Sequence, residues 1–268
     1  MLGGAPFNVA WHLQALGDQP RFVSRVGYDE AGRKILHAMS DWGLNASSIQ
    51  VDMENQTGRV EVRVIKNEPY YDIIPNCAYD FIDASEINLL PAQGILYHGT
   101  LGLRNKVSRN TFSKFLQNPD LSTFLDVNLR APWWQKDEVY HWMEQARWVK
   151  LNQDELRLLG FTDTNINQVM SEVQARFDLE QLIVTRGEEG TIVLSKQGEF
   201  HNLVPEKISR FVDTVGAGDA FSAIYIHGLM LDWPVSDTLK VAQEFAAKVI
   251  GLRGATSTDP NFYRAFIN

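Results

Sequence analysis

The sequence predicts an α/β fold in which a mainly parallel sheet lies between two layers of helices. Short apolar runs typical of buried strands alternate with longer stretches that carry apolar residues at helical spacing. Such alternation is typical of parallel sheets covered on both faces. The length of 268 residues and the apolar fraction of 44% suit one large core. We therefore predict a single domain over residues 1–268 with three layers, α/β/α.

The predicted elements follow one another in a regular order. Apolar residues at helical spacing predict helices, and short apolar runs bounded by small or polar residues predict strands. The predicted helices cover 9–17, 29–42, 105–117, 165–177, 217–231 and 235–251. The predicted strands cover 21–27, 95–100, 122–127, 148–151, 191–195 and 199–204, with a further strand starting at 181.

Residues 57–75 interrupt this order with a different pattern. Val60, Val62 and Val64 alternate with polar residues, and a second short strand follows a turn that contains proline. Period-two alternation predicts half-exposed antiparallel strands. We expect a small inserted β lid here, with residues 94–100 as a further candidate part of it; an ordinary edge hairpin is the alternative. An exposed β edge with an apolar face also predicts a homodimer formed through the lid.

Composition excludes several classes of partner. The net charge of −8 argues against nucleic acid or an anionic membrane as the main partner. No apolar run approaches the roughly 18 residues of a membrane span. The single cysteine, Cys77, excludes an internal disulfide. The start of the chain lacks the pattern of a signal peptide, so we expect a cytoplasmic protein that binds small molecules.

The most informative stretch is residues 213–219 (DTVGAGD), which runs directly into an apolar helix. Free amides at a helix N-terminus attract anions, and glycines allow a phosphate to approach the backbone. A carboxylate at Asp219 would repel a phosphate, but it suits a base that takes the proton of an attacking hydroxyl. The alternative is an ordinary acidic residue at the start of a helix.

Polar residues also follow the predicted parallel strands, where α/β sheets bind ligands. They lie at 98–100, 126–128, 152–155 and 185–190. Other phosphate and metal motifs are absent from the sequence. It contains no P-loop and no complete G-x-G-x-x-G, and its histidines do not have the spacing of a zinc site.

Four segments together resemble the ribokinase-like (PfkB) family of sugar kinases. Residues 3–10 (GGAPFNVA) are similar to the N-terminal signature of that family, and residues 213–221 (DTVGAGDAF) to its C-terminal signature. Between them, residues 152–155 (NQDE) fit N-x-x-E, and residues 185–190 (TRGEEG) fit T-x-G-x-x-G. The resemblance covers nearly the whole chain and implies a ribokinase-like fold with a β lid.

The resemblance implies an ATP-dependent kinase that uses Mg²⁺. Asp219 would be the base that deprotonates a sugar hydroxymethyl group. The amides of Gly216, Ala217 and Gly218 would stabilise the transferred phosphoryl group. Glu155 would act on Mg²⁺ through water, in keeping with the strong hydration of that ion. The residues that would bind the nucleotide are Asn152, Thr185, Gly187, Gly190, Gly216 and Gly218.

The resemblance also implies a sugar site and a site for a monovalent cation. The residues that would bind the sugar are Gly3, Gly4, Asn8, Asn128, Arg130 and Asp219. The family often carries a potassium ion beside the glycine loop. The residues that would bind it here are Asp213, Val215, Gly254 and Thr258.

Within the family, Asp126, Asn128 and Arg130 with the following tryptophans resemble the D-x-N-x-R-x-x-x-W pattern of fructokinases. Fructose is therefore the first choice of substrate, with ribose, 2-keto-3-deoxygluconate or a nucleoside behind it. A structural loop pinned by an Arg–carboxylate pair is the alternative for this segment. Phosphofructokinase activity would need basic residues at the substrate mouth, for which Arg104 and Lys106 are candidates.

This sequence departs from the family pattern at its start. Members normally carry a further N-terminal segment that supplies a central β-strand and an acidic residue for sugar hydroxyls. The sequence thus predicts either a longer natural chain or a fold with a gap. A gapped fold would favour an alternative function, that of a catalytically weak regulatory protein that binds a nucleotide or a sugar.

Overall fold

The computed structural model of this protein describes residues 2–65, 68–87, 93–205 and 215–267, with the backbone alone for 62–65 and 68–71. The chain divides into two compact units. The first comprises Met1–Gln19, Pro91–Leu101 and Pro119–Asn268; the second comprises Pro20–Leu90 and Gly102–Asn118. The second unit is therefore much larger than the lid predicted over residues 57–75.

The described residues contain ten strands and nine α-helices. In chain order the strands are β1 Ser24–Gly27, β2 Ile49–Asp52, β3 Val60–Ile65, β4 Glu68–Ile73, β5 Gly94–Gly99, β6 Leu121–Asp126, β7 Trp148–Asn152, β8 Gln181–Thr185, β9 Thr191–Ser195 and β10 Phe200–Leu203. The helices are α1 Ala5–Leu16, α2 Glu30–Asp41, α3 Lys106–Phe115, α4 Lys136–Glu144, α5 Gln153–Leu158, α6 Ile166–Phe177, α7 Ala217–Met230, α8 Val235–Ile250 and α9 Pro260–Tyr263.

The first unit contains a six-stranded sheet in the order β10-β9-β8-β7-β6-β5. Strands β5 to β8 are parallel, and β9 and β10 run antiparallel to their neighbours. The prediction of a mainly parallel sheet is thus confirmed. Residues 94–99 of the candidate lid segment form β5, which pairs along its whole length with β6 in this sheet. The apolar side chains of β5 suit a strand of a sheet that is covered by helices.

Helices α1, α7 and α8 form the packing core of the first unit. Helix α7 packs against both α1 and α8, and α1 and α7 also contact β5. All nine residues from Ala220 to Gly228 are buried, which explains why this stretch is largely apolar. No helix in the described parts of the chain is long and apolar enough to cross a membrane.

The second unit holds the parallel pair β1–β2 and the antiparallel hairpin β3–β4. The hairpin falls within the range predicted from period-two alternation and has Val60 opposite Ile73. At its base, Arg104 makes two hydrogen bonds of 2.8 Å to the buried carboxylate of Asp80. The same guanidinium donates to the carbonyl of Ile74 at 2.7 Å. Arg104 therefore stabilises the second unit, and its geometry gives no support to a role in binding a sugar phosphate.

The contact between α7 and α8 leads to a stability prediction at Gly228. A Cβ atom at this position would lie 2.7 Å from both Cγ2 and Oγ1 of Thr238, a buried residue of α8. Overpacking of this kind typically costs about 1–3 kcal/mol. We expect Gly228→Ala to lower the free energy of unfolding in urea by about that amount. In the control Gly102→Ala, where no atom lies within 4 Å of the new Cβ, stability should hardly change. Equal stability of both variants would contradict this packing.

Candidate active site

The carboxyl ends of the parallel strands β5 to β8 meet at one edge of the sheet. The register places Gly99 opposite Asp126 and Asn152 opposite Thr185. The polar residues that the sequence placed after separate strands are therefore neighbours. Open α/β sheets bind their ligands at this edge.

Helix α7 begins directly after the glycine loop, with Gly216 as its N-cap. Gly216 has φ +85°, and a Cβ atom there would lie 2.3 Å from the Cβ of Ala255, so only glycine fits. No side chain in the described part of the chain caps this helix. The first-turn amides of Ala217, Gly218 and Asp219 are left as donors, which is the arrangement that binds anions.

Asp219 lies half-buried in the first turn of α7 and accepts a hydrogen bond from α1. Asn8 Nδ2 donates to Asp219 Oδ2 at 2.7 Å. Burial raises the pKa of Asp219 above its ordinary value of 3.8, and the charge of Asp126 raises it further. The hydrogen bond from Asn8 and the charges of Lys150 and Arg130 act in the opposite direction. A raised pKa makes this carboxylate a stronger base near neutral pH.

Residues of the N-terminal signature surround Asn8. The backbone N–H of Asn8 donates to the carbonyl of Gly4 at 2.9 Å, and Gly4 is the N-cap of α1. A Cβ atom on Gly3 would lie 3.5 Å from Asn8 Oδ1. That oxygen is buried and accepts no hydrogen bond from the described residues. It is therefore an available acceptor beside Asp219.

A buried ion pair lies beneath the start of α7. Lys150 Nζ in β7 donates to Asp126 Oδ2 at the end of β6, at 2.8 Å. Our sequence reasoning did not identify Lys150 as a site residue. The signal was present, because a lysine inside the apolar strand 148–151 requires a buried partner of opposite charge.

Asn152 and Glu155 form a capping box at the start of α5. Asn152 Oδ1 accepts from the backbone N–H of Glu155, and Glu155 Oε2 accepts from that of Asn152. Glu155 Oε1 also accepts from the backbone N–H of Leu129 at 2.7 Å. Burial raises the pKa of Glu155, although its bonds to the amides of Asn152 and Leu129 lower it. Glu155 of the N-x-x-E segment thus holds the loop after β6 in place through its bond to Leu129.

Several carboxylates lie at this edge of the sheet, where a cation could bind through its water molecules. No group of three or more His, Cys, Asp or Glu side chains within the described ranges is arranged to hold a metal ion. The charge of Asp126 raises the pKa of both Glu155 and Asp219, which shows an accumulation of negative charge. Mg²⁺ typically keeps several waters and binds one or two carboxylates together with substrate phosphates. The carboxylates at this edge are chemically compatible with Mg²⁺ bound in that mode.

The loop after β6 brings Asn128 and Arg130 to the same edge. Asn128 adopts φ +42°, a left-handed conformation that asparagine tolerates better than most residues. Arg130 is exposed, and its charge lowers the pKa of Asp219. The exposed guanidinium is therefore close enough to Asp219 to affect the same site.

The T-x-G-x-x-G segment forms the turn between β8 and β9. Thr185 ends β8, and Gly187 is exposed with no atom within 4 Å of a Cβ built on it. Gly190 differs, because its Cβ would lie 2.0 Å from the carbonyl oxygen of Leu203. Close packing against β10 thus explains Gly190, whereas Gly187 leaves open space beside the strand end.

The predicted cation site lies only partly within the described residues. Asp213 is outside them. Gly254 is buried and precedes Ala255, which touches Gly216, whereas Val215 and Thr258 are exposed. The C-terminal loop is thus adjacent to the glycine loop, as a shared ion would require.

Helix α1 anchors this C-terminal loop. Trp11 Nε1 donates to the carbonyl of Ser257 at 2.8 Å. The two ring nitrogens of the buried His12 lie 3.1 Å from the Ala255 carbonyl and from the Tyr263 hydroxyl. One helix therefore positions both Asn8 and the loop that packs against Gly216.

The chain is similar to several known proteins. Residues 1–261 match the sequence model described as pfkB family carbohydrate kinase. A probable fructokinase-5 from Arabidopsis thaliana is 29% identical over 259 residues, which cover 91% of this chain and 79% of the relative. A 5-dehydro-2-deoxygluconokinase from Bacillus cereus is 24% identical over 276 residues, covering 97% and 82%.

A solved structure shows the same fold. A fructokinase double mutant from Vibrio cholerae, crystallised with fructose, ADP and a potassium ion, superposes with a TM-score of 0.85 at 23% identity. The match covers 99% of this chain and 90% of that one. The ribokinase-like fold predicted from the four segments is therefore confirmed.

The anchoring of the C-terminal loop by His12 predicts a loss of stability in acid. Burial lowers the pKa of His12 to about 4 from 6.5. As the pH falls from 6.5 to 4, the unfolded chain binds a proton that the native state does not, so unfolding becomes easier. We expect the contribution of this one group to be about 3 kcal/mol over the window.

Unfolding of the His12→Gln variant in urea at several pH values measures this contribution. The variant should lose less stability between pH 6.5 and 4 than the parent, because it lacks the imidazole of His12. Some loss should remain, since the buried His98 is present in both proteins. The exposed His37→Gln change should leave the parent's pH dependence intact. A His12→Gln curve as steep as the parent's would contradict the buried neutral imidazole.

Proposed function

We propose that this chain, which belongs to the pfkB family of carbohydrate kinases, transfers the γ-phosphoryl group of ATP to a hydroxymethyl group of fructose. That it is a sugar kinase follows from the family; the choice of sugar and the roles of individual residues are our proposal. The observation that carries it is the hydrogen bond between Asn8 and Asp219 beside the free amides of α7.

Asp219 is the proposed base. Its carboxylate removes the proton from the sugar hydroxyl as the oxygen attacks the phosphorus, and the raised pKa suits that task. The hydrogen bond from Asn8 Nδ2 occupies Oδ2 and leaves Oδ1 to receive the proton. The amides of Gly216, Ala217 and Gly218 are proposed to stabilise the negative charge on the phosphoryl group during transfer.

The nucleotide is proposed to lie along the carboxyl ends of β7 and β8. The supporting observations are the adjacency of Asn152 and Thr185 and the open space beside Gly187. Mg²⁺ would neutralise phosphate charge, with Glu155 contacting it through water. The proposed nucleotide-binding residues are Asn152, Thr185, Gly187, Gly190, Gly216 and Gly218. Since ATP is the donor, we place the protein in the cytoplasm.

A potassium ion is proposed between the glycine loop and the C-terminal loop. The contact of Gly216 with Ala255 supports this placement, since it brings the two loops side by side. A structural neighbour of the same fold was crystallised with potassium. The proposed ligating residues are Asp213, Val215, Gly254 and Thr258.

The sugar is proposed to lie between the N-terminal signature and the loop after β6. The free oxygen Oδ1 of Asn8 would accept from a sugar hydroxyl, while Arg130 would donate to the far end of the sugar. Gly3, Gly4 and Asn128 would complete the contacts. The D-x-N-x-R segment and the fructokinase relatives favour fructose.

A kinase for a deoxy-ketogluconate is the second candidate, because a 5-dehydro-2-deoxygluconokinase matches 97% of this chain. The exposed guanidinium of Arg130 would suit the carboxylate of such a sugar acid. Ribose and a nucleoside stand behind these two. A purely regulatory binding protein is less well supported, because it has no use for a base such as Asp219.

An assay of ADP release with ATP, Mg²⁺ and a panel of sugars tests the proposal. We expect turnover with fructose, and we expect Asp219→Asn to lower kcat by roughly 10²–10⁴ while ATP affinity stays nearly unchanged. The activity of the parent should fall as the pH falls through the pKa of Asp219, since the protonated acid is no base. The exposed Asp154→Asn change is the control and should retain full activity. No turnover on any sugar or nucleoside, or an equally active Asp219→Asn variant, would refute the proposal.

The hairpin β3–β4 is proposed to form a homodimer through residues 57–75. Val60, at the start of β3, is 53% exposed, and within the described residues this sheet has two strands, whose outer edges suit pairing. Sedimentation equilibrium should give twice the chain mass of 30.4 kDa. Val60→Asp should shift the distribution toward single chains. A mass of one chain for the parent would exclude this dimer.

A further inference from the structure

The buried pair of Asp126 and Lys150 is costly for a fold to keep. Both side chains are at most 7% exposed, and their strands place them directly opposite each other. Taking two charges out of water is unfavourable, and an apolar pair of similar volume is often at least as stable. The pair therefore points to a role besides stability.

The pair reaches the first turn of α7 through two contacts. Ser222 Oγ lies 2.9 Å from Asp126 Oδ2 and 3.0 Å from the carbonyl oxygen of Gly218, so its single proton serves one of them at a time. A Cβ atom built on Gly218 would lie 3.5 Å from Lys150 Nζ. The ammonium group is thus close to the backbone whose amides are free.

Lys150 is also a buried cation beside this helix turn. The titratable and charged groups that act on Asp219, or on the groups beside it, come from five segments of the chain. They are Tyr97 from β5, Asp126 from β6, Arg130 from the following loop, Lys150 from β7 and Glu155 from α5. Arg130 is exposed, so Lys150 is the one buried positive charge within this set.

We propose that Lys150 is a positioning residue for phosphoryl transfer, which with Asp126 and Ser222 holds the first turn of α7 against the sheet and keeps a positive charge beside its amides. This inference rests on the proposed function, because it assigns Lys150 a part in the same reaction. Lys150 acts through α7 and Asp219, and no direct contact with the sugar or ATP is required.

Charge-removing variants separate this role from a purely structural one. The Lys150→Met change removes the ammonium group, which should raise the pKa of Asp219. The acid limb of the plot of kcat/KM against pH should therefore move to higher pH. The Asp126→Asn change removes the carboxylate, which should lower the pKa of Asp219. The same limb should therefore move to lower pH. The double variant removes both charges, and its limb should return close to that of the parent.

The rates give a second readout. Loss of the positioning contacts should lower kcat of Lys150→Met about 10- to 100-fold with fructose and ATP, because small misplacements of reacting groups are costly. The KM for ATP should change much less. The exposed Lys240→Met change on α8 is the matched control and should leave both kcat and the pH profile as in the parent. Thermal unfolding of each variant establishes that it is folded.

The outcomes distinguish this inference from the proposed function. A parent that phosphorylates no sugar refutes the proposed function itself. A parent that is active beside a folded Lys150→Met variant with unchanged kcat and pH profile overturns only the role of Lys150. Shifts of the acid limb in the same direction for both single variants would also overturn it. Should the single variants fail to fold, a double variant with the parent's kcat would contradict the proposal, whereas a reduced kcat would support it.

Discussion

The hydrogen bond between Asn8 and Asp219 is the constraint on which the rest of the site depends. It joins residues 211 positions apart and ties the first turn of α1 to the first turn of α7. Because it uses one carboxylate oxygen, it orients Asp219 and leaves the other oxygen for a proton. The packing of Gly216 against Ala255 fixes the same turn from its other side. The proposed base and the amides at the start of α7 are thereby held on one helix.

The site combines buried charge with backbone donors, in a protein whose net charge is −8. A phosphate ligand of so acidic a protein needs local attraction, for which the amides at the start of α7 are our proposal. The carboxylate of Asp126 opposes the cations Lys150 and Arg130 and raises the pKa of Asp219. Burial is the largest cause of the raised pKa of Asp219, and these charges modify it in opposite directions.

Much of this was predictable from the sequence, because local patterns carry it. Helical spacing predicted α7 and α8 to within one residue, and the glycine motif predicted the start of α7 before Asp219. Helix α1 was predicted, but it begins at Ala5, four residues earlier than expected. Short or weakly periodic elements were missed, namely β2, α4, α5 and α9. The bond from Glu155 to the Leu129 amide and the pair of Asp126 and Lys150 were not foreseen either, since they join residues brought together only by the sheet register. Arg104, a sequence candidate for phosphate, proved to be paired with Asp80 for the same reason.

A crystal structure of the protein with fructose, ADP, Mg²⁺ and aluminium fluoride tests the central claim most directly. The account predicts a sugar hydroxymethyl oxygen within hydrogen-bond distance of Asp219, and fluoride ligands facing the amides of Ala217 and Gly218. Asn8 should still donate to Asp219 in that complex. A sugar bound elsewhere, with Asp219 separated from its hydroxyls, would contradict the account.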